Sequence, residues 1–124
     1  MDRIVLTIPR EREFGAVADL VIAGLGSRHD FTVEAIDDMQ LALETLVEHD
    51  EQGDELTVRL EIEDGTLEAV VGPFERDAIT AELQARGDDG SLGLRRVLET
   101  TVDTVRIAEH DNGCWVELRK TVGG

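Results

Sequence analysis

The chain has 124 residues, enough for one domain with a real core, and 41% of them are hydrophobic, a globular rather than a disordered composition. Its formal charge is -16, from 28 acidic and 12 basic residues. That balance excludes a binder of the DNA or RNA phosphate backbone and argues against an anionic membrane surface, since both need clustered Lys and Arg. A basic protein partner is compatible with it, and so is simple solubility. Tyrosine is absent, Trp115 is the single tryptophan and Lys120 the single lysine, so the core must be built from Leu, Val, Ile and Ala.

In chain order, Ile4, Leu6 and Ile8 alternate with Arg3, Val5 and Thr7 as a first strand that Pro9 stops. Glu11 to Leu25 reads as a helix with Phe14, Val17, Ala18, Val21 and Leu25 on one face. Gly24 and Gly26 mark its end, and Ser27 to Phe31 reads as a loop. Thr32 is a plausible N-cap for the next helix, which contains Ile36 to His49. Its Ile36, Met39, Leu43, Leu46 and Val47 form an apolar stripe, and Asp37, Gln40, Glu44 and Glu48 share another face. A polar turn surrounds Gly53. Leu56, Val58, Leu60 and Ile62 then alternate with Thr57, Arg59, Glu61 and Glu63 as a half-buried strand.

Asp64-Gly65 is a strong two-residue hairpin signal, Leu67 to Val71 is the returning strand, and Gly72-Pro73 breaks it. Glu75 to Arg86 reads as a helix, Gly87 to Gly90 as an acidic loop, and Leu92 to Thr101 as a helix. Val105 and Ile107 sit in a strand, Asp111-Asn112-Gly113 is a tight turn, and Cys114 to Val122 is the last strand. The order is not the strand-helix alternation of a parallel sheet. It predicts a single α+β domain over 1–124, a two-layer sandwich of a mixed, mostly antiparallel sheet with helices on one face. One cysteine excludes an internal disulfide, and no apolar run reaches membrane-spanning length, so a cytoplasmic protein is expected.

Three stretches could carry chemistry. Glu44 and Glu48, one helical turn apart, could act as a general base beside a Mg²⁺ ligand; spacing alone reads them as surface charges. Gly90-Ser91-Leu92-Gly93-Leu94 opens a helix and could receive a phosphate, or serve only loop geometry; Asp88 and Asp89 before it would repel an anion. His29, His49 and His110 lack metal-ligand spacing, and Cys114 beside Trp115 reads as a buried thiol.

In order and spacing, IVLTIP, EFGAVADLVIAGLGSRHDF, IDDMQLALETLVEH and GSLGLRRVLETTVDTVRI together resemble the anti-sigma factor serine-protein kinases, within the histidine-kinase-like (Bergerat, GHKL) ATPases. The resemblance implies that fold and three ATP-binding elements. Glu44 matches the helical box's general base, and Glu48 stands where the family has an Mg²⁺-ligating Asn. Gly90, Gly93 and Leu94 keep the second glycine box. The first glycine box, roughly Asp-x-Gly-x-Gly, is reduced to Gly72, with Pro73 or a neighbour where its adenine-binding Asp should be. The segment from Gly72 to Gly90, where the family carries a nucleotide lid, is short.

A buried adenine amino group without its acceptor costs about 1–3 kcal/mol. Glu at position 48 can still bind Mg²⁺, but its longer arm moves the metal. With these departures, the resemblance implies a regulatory domain that binds a sigma factor or an anti-anti-sigma protein, with Mg-ATP binding weakened or lost. Bacterial stress or developmental control and homodimers are further implications. The alternative is an active ATP-dependent serine kinase.

Overall fold

The computed structural model describes residues 2–9, 13–48, 55–74, 79–80, 94–110 and 113–121. In chain order its elements are β1 (Asp2–Pro9), α1 (Glu13–His29), α2 (Val33–Glu48), β2 (Glu55–Glu63), β3 (Thr66–Phe74), α3 (Leu94–Thr101), β4 (Thr104–His110) and β5 (Gly113–Thr121). The strands form one sheet in the order β1-β2-β3-β5-β4, and every described pairing is antiparallel. The architecture is the expected α+β sandwich, a sheet with helices on one face.

Strand alternation decides which residues meet the helices. Leu56, Val58, Leu60 and Ile62 of β2 are buried with Leu67, Ala69 and Val71 of β3 and Cys114, Val116 and Leu118 of β5. Against them pack Ala18, Ile22 and Leu25 of α1, Ala35, Met39, Ala42, Leu43 and Leu46 of α2, and Leu98 of α3. Cys114 is the buried thiol its sequence context predicted. At the hairpin tip, Asp64 (φ 52°) and Gly65 (φ 75°) are both left-handed, the backbone of a two-residue turn matched to strand twist.

Two expected element ends are wrong. α1 does not stop at Leu25 but runs through Gly26 to His29. Gly26 is there for close approach: a Cβ would come within 2.5 Å of Ile36 Cδ1, so the missing side chain lets α1 lie on α2. The helix stops at Asp30, which takes φ 56° while the Phe31 N–H donates to the Gly26 carbonyl at 3.0 Å, a Schellman closure with Asp in place of the usual Gly. The stretch Ser27 to Phe31 is therefore mostly helix.

β3 likewise does not break at Gly72-Pro73. It continues to Phe74, with a register shift against β5 between Val71 and Phe74. Such a bulge accommodates a proline that cannot donate to the ladder. Of the helix expected over Glu75 to Arg86, only Ile79 and Thr80 are described, both helical, with Ile79 in the core. The loop Gly87 to Gly90 and the turn at Asp111-Asn112 lie outside the described residues.

The face of the sheet away from the helices is differently made. By register, Arg3 and Val5, Thr57, Arg59 and Glu61, Glu68 and Val70, Trp115, Glu117 and Arg119, and Arg106 point to it. Glu61 pairs with Arg3 at 3.0 Å and Arg59 at 3.7 Å, and Glu68 pairs with Arg119 at 3.6 Å. Trp115 lies over Gly72, where a Cβ would meet its Cδ2 at 2.7 Å. Arg3, Val5, Thr57, Arg59, Val70, His110 and Trp115 line a groove of about 380 Å³.

Candidate functional site

α2 carries the candidate chemistry, and its rotation is fixed at both ends. Thr32 caps it, its Oγ1 accepting from the Ala35 N–H at 3.1 Å. Met39, Leu43 and Leu46 are fully buried and commit one stripe to the core. Lys120, on β5, reaches Asp38 of α2 at 3.2 Å and ties the helix to the sheet by an ion pair.

That rotation turns Gln40 and Glu44 toward α1. Gln40 Nε2 donates to the Asp19 main-chain oxygen at 3.1 Å. One turn further along, Glu44 is half-buried on the same side of α2, and its carboxyl acts on that of Asp19. Asp19 Oδ1 is sealed from solvent and has no hydrogen-bond donor among the described residues. Burial, then the hydrogen bond with Glu44, then the Glu44 charge push the Asp19 carboxyl up from 3.8 to about 7.

The other sequence-predicted residues scatter. Glu48 closes the last turn of α2 and Leu94 opens α3, with their backbones described and their side chains not; Gly90 and Gly93 lie outside the described residues. Gly72 is buried under Trp115, and Phe74 belongs to the hydrophobic core. Pro73 puts no polar side chain where the family's adenine acceptor would stand. Among the described residues, no group of three or more His, Cys, Asp or Glu is placed to hold a metal ion. His29 stacks near Phe31 at 6.3 Å and His110 lies edge-on to Trp115 at 6.1 Å, so both act as ring contacts; His49 is outside the described residues.

Of the residues the resemblance assigns to Mg-ATP, only Glu44 and Gly72 are described in full. Sequence reasoning missed Asp19. The signal was available: it is the one charged residue in the apolar run AVADLVIAG, and a lone acid in such a run must find a partner or a proton.

No protein-family model matches the chain. Proteins named serine-protein kinase RsbW do match it along nearly its whole length. The one from Bacillus velezensis is 26% identical over 147 residues, covering 100% of this chain and 88% of the relative. Those from Listeria innocua and Bacillus mycoides are 28% and 29% identical, covering 98% of this chain and 88% and 86% of theirs.

The chain is similar to the RsbW-type serine-protein kinases.

The first of these alignments runs over 147 positions where this chain has 124 residues, so the relative carries stretches with no counterpart here. A solved structure containing the RsbU and RsbW domains of Rv1364c from Mycobacterium tuberculosis superposes with a TM-score of 0.69 at 18% identity. It covers 98% of this chain and 32% of that longer one. That likeness establishes the shared fold.

Proposed function

We propose that the chain is an anti-sigma-type regulatory domain that binds a sigma factor or an anti-anti-sigma protein, with the ATP chemistry of RsbW-type kinases weakened or lost. The observation that carries this reading is the likeness to proteins named serine-protein kinase RsbW along nearly the whole chain, combined with Glu48 where the family has its Mg²⁺-ligating Asn. The longer arm of Glu48 moves the metal, and catalysis tolerates such misplacement poorly. Pro73 or a neighbour at the adenine position and the gaps in this chain within the alignment to its relative support the same reading. Among the described residues no helix is long and apolar enough to cross a membrane. Action in the bacterial cytoplasm, within transcriptional stress control, is part of this proposal.

The second reading is an active serine kinase. The names of the relatives favour it, as does the placement of Glu44 and Glu48 one turn apart on α2. In that reading Glu44 is the base, Glu48 the Mg²⁺ ligand, and Gly72, Gly90, Gly93 and Leu94 surround the nucleotide. Mg-ATP would supply the transferable phosphoryl group. Incubation with labelled ATP, Mg²⁺ and serine-bearing anti-anti-sigma proteins from a host bacterium separates the two. Complex formation without label transfer is the expected result; label on a partner serine would make the chain an enzyme.

We also propose that the chain pairs with a second copy through the open face of its sheet. That face carries Arg3, Arg59, Arg106 and Arg119 against Glu61, Glu68 and Glu117, a near-balanced patch on a chain of charge -16. Across such a face two equally acidic molecules repel each other less than their net charge alone implies. Arg59 and Glu117 flank Val70 in one row, so a two-fold axis running along β3 at Val70 would set each Arg59 against the other copy's Glu117. Sedimentation should give a dimer for the wild type and a monomer for Val5→Glu, whose side chain stands exposed on this face. A wild-type monomer at high concentration would overturn the pairing.

A further inference from the structure

We propose that the groove on the open face of the sheet is a binding site for a small aromatic carboxylate, with its anion held by Arg59 and its ring laid against Trp115. Such a site needs neither nucleotide nor a regulatory partner, so it goes beyond the anti-sigma reading and does not rest on it.

The charge on this face is unevenly shared. Glu61 Oε1 takes Arg3 Nε at 3.0 Å but stands 3.7 Å from Arg59 Nε, beyond hydrogen-bond distance. Arg59 Nε is sealed from solvent and has no hydrogen-bond acceptor among the described residues. A sealed donor without an acceptor is costly, and a guanidinium cannot shed its proton to escape that cost. The Arg59 side chain is 38% exposed and borders the groove, so the groove is where an acceptor can reach it. Two guanidiniums facing one carboxylate leave one positive charge unmatched, in a chain of charge -16. The other charges nearby have counterparts of their own. Glu68 pairs with Arg119 at 3.6 Å, and Glu117 stands opposite Arg106 in the register of β5 and β4. One monoanion at Arg59 completes the balance.

The walls specify the rest of the ligand. The groove holds about 380 Å³, the size of a small-molecule site. Val5 and Val70 stand on either side of Arg59 in the strand register and give it an apolar floor. Trp115 forms a wall, and Gly72 lets its ring settle close to β3, since a Cβ there would meet Trp115 Cδ2 at 2.7 Å. His110 meets that ring edge-on at 6.1 Å and borders the same groove. A flat apolar body suits Trp115 and the two valines, and a planar carboxylate suits the fork of Arg59. A phosphate monoester, with more than one negative charge at neutral pH, exceeds the single unmatched cation. The groove opens on the face proposed above to meet a second copy, where the other copy's Glu117 would claim the same Arg59. Ligand and second copy are therefore competitors.

Trp115 is the single tryptophan, so its emission reports on the groove directly. The test is titration of the wild type with benzoate and with its neutral isostere benzamide, in protein dilute enough for mass action to separate a pair. Benzoate should give a saturable change in emission with a dissociation constant in the millimolar range, as befits a small ligand with one ionic anchor. Benzamide should bind about tenfold more weakly or worse. Arg59→Gln should weaken benzoate by about tenfold or more and leave benzamide as it was. If that variant fails to fold, the comparison of the two compounds on the wild type still decides the matter. No saturable change with benzoate, equal affinity for both compounds, or undiminished benzoate affinity in folded Arg59→Gln would overturn the site. Sedimentation without benzoate reads the pairing and label transfer reads the regulatory function, so a failure of this site is distinct from a failure of either.

Discussion

Leu46→Ala is expected to destabilise the fold by about 2–5 kcal/mol, while Leu41→Ala, five residues back on the same helix, should change stability by no more than about 0.5 kcal/mol. Leu46 is 0% exposed and Leu41 48%. Truncating Leu46 loses its transfer free energy and leaves a void among the side chains of α2 and the sheet, whereas Leu41 loses contacts it barely makes. A domain of this size is stable by only about 5–15 kcal/mol, so the first change removes a large share of it. Urea unfolding midpoints measure both. The comparison tests more than packing, because the rotation that buries Leu46 is the one that turns Gln40 and Glu44 toward Asp19. Equal effects would mean that α2 sits differently about its axis and that Glu44 does not face α1.

That same helix shows why the fold was legible. Met39, Leu43 and Leu46 recur at helical spacing, Thr32 supplies an N-cap oxygen, and Asp64-Gly65 takes the two left-handed conformations that its hairpin needs. Each signal is local, and local geometry decides it. The misread ends came from residues whose role is set by distant neighbours. Gly26 looked like a helix stop, yet it is a contact point for Ile36 on another helix; Pro73 looked like a strand stop, yet a bulge against β5 absorbs it.

The site was legible to a smaller degree for the same reason. Glu44 could be picked out along the sequence, but the acid it acts on, Asp19, comes from a different helix and 25 positions earlier. No periodicity within α2 reports that partner. The open face of the sheet was equally hidden: the alternation of Trp115 with Glu117 and Arg119 showed which residues share a side, and only the strand order β1-β2-β3-β5-β4 brings Arg3, Arg59 and Trp115 around one groove.

Millimolar Mg-ATP is expected to leave the thermal unfolding midpoint within about a degree of its value in buffer alone, a difference too small for a saturated site. A ligand that binds only the folded state stabilises it by about 4.1 kcal/mol when present at a thousand times its dissociation constant. For a domain of this length about 1 kcal/mol moves the midpoint by roughly 4 °C, so a retained micromolar site would raise it by well over about 10 °C. The two readings of α2 thus predict outcomes that no calorimeter would confuse. The expected absence of a shift has a physical origin at each end of the site. Pro73 offers the adenine amine no carboxylate, and an unsatisfied amine alone weakens binding by one to two decades, about 1–3 kcal/mol. At the metal position Glu48 replaces the family's Asn, and its longer arm moves the Mg²⁺. Glu48→Asn, which restores the family's metal ligand, is the informative companion variant. If it too shows no shift, the adenine end alone suffices to exclude nucleotide. If it gains a shift that Mg²⁺ is required to produce, the residue at position 48 was what kept the metal out. A wild-type shift of several degrees would return the chain to the kinases its relatives are named for.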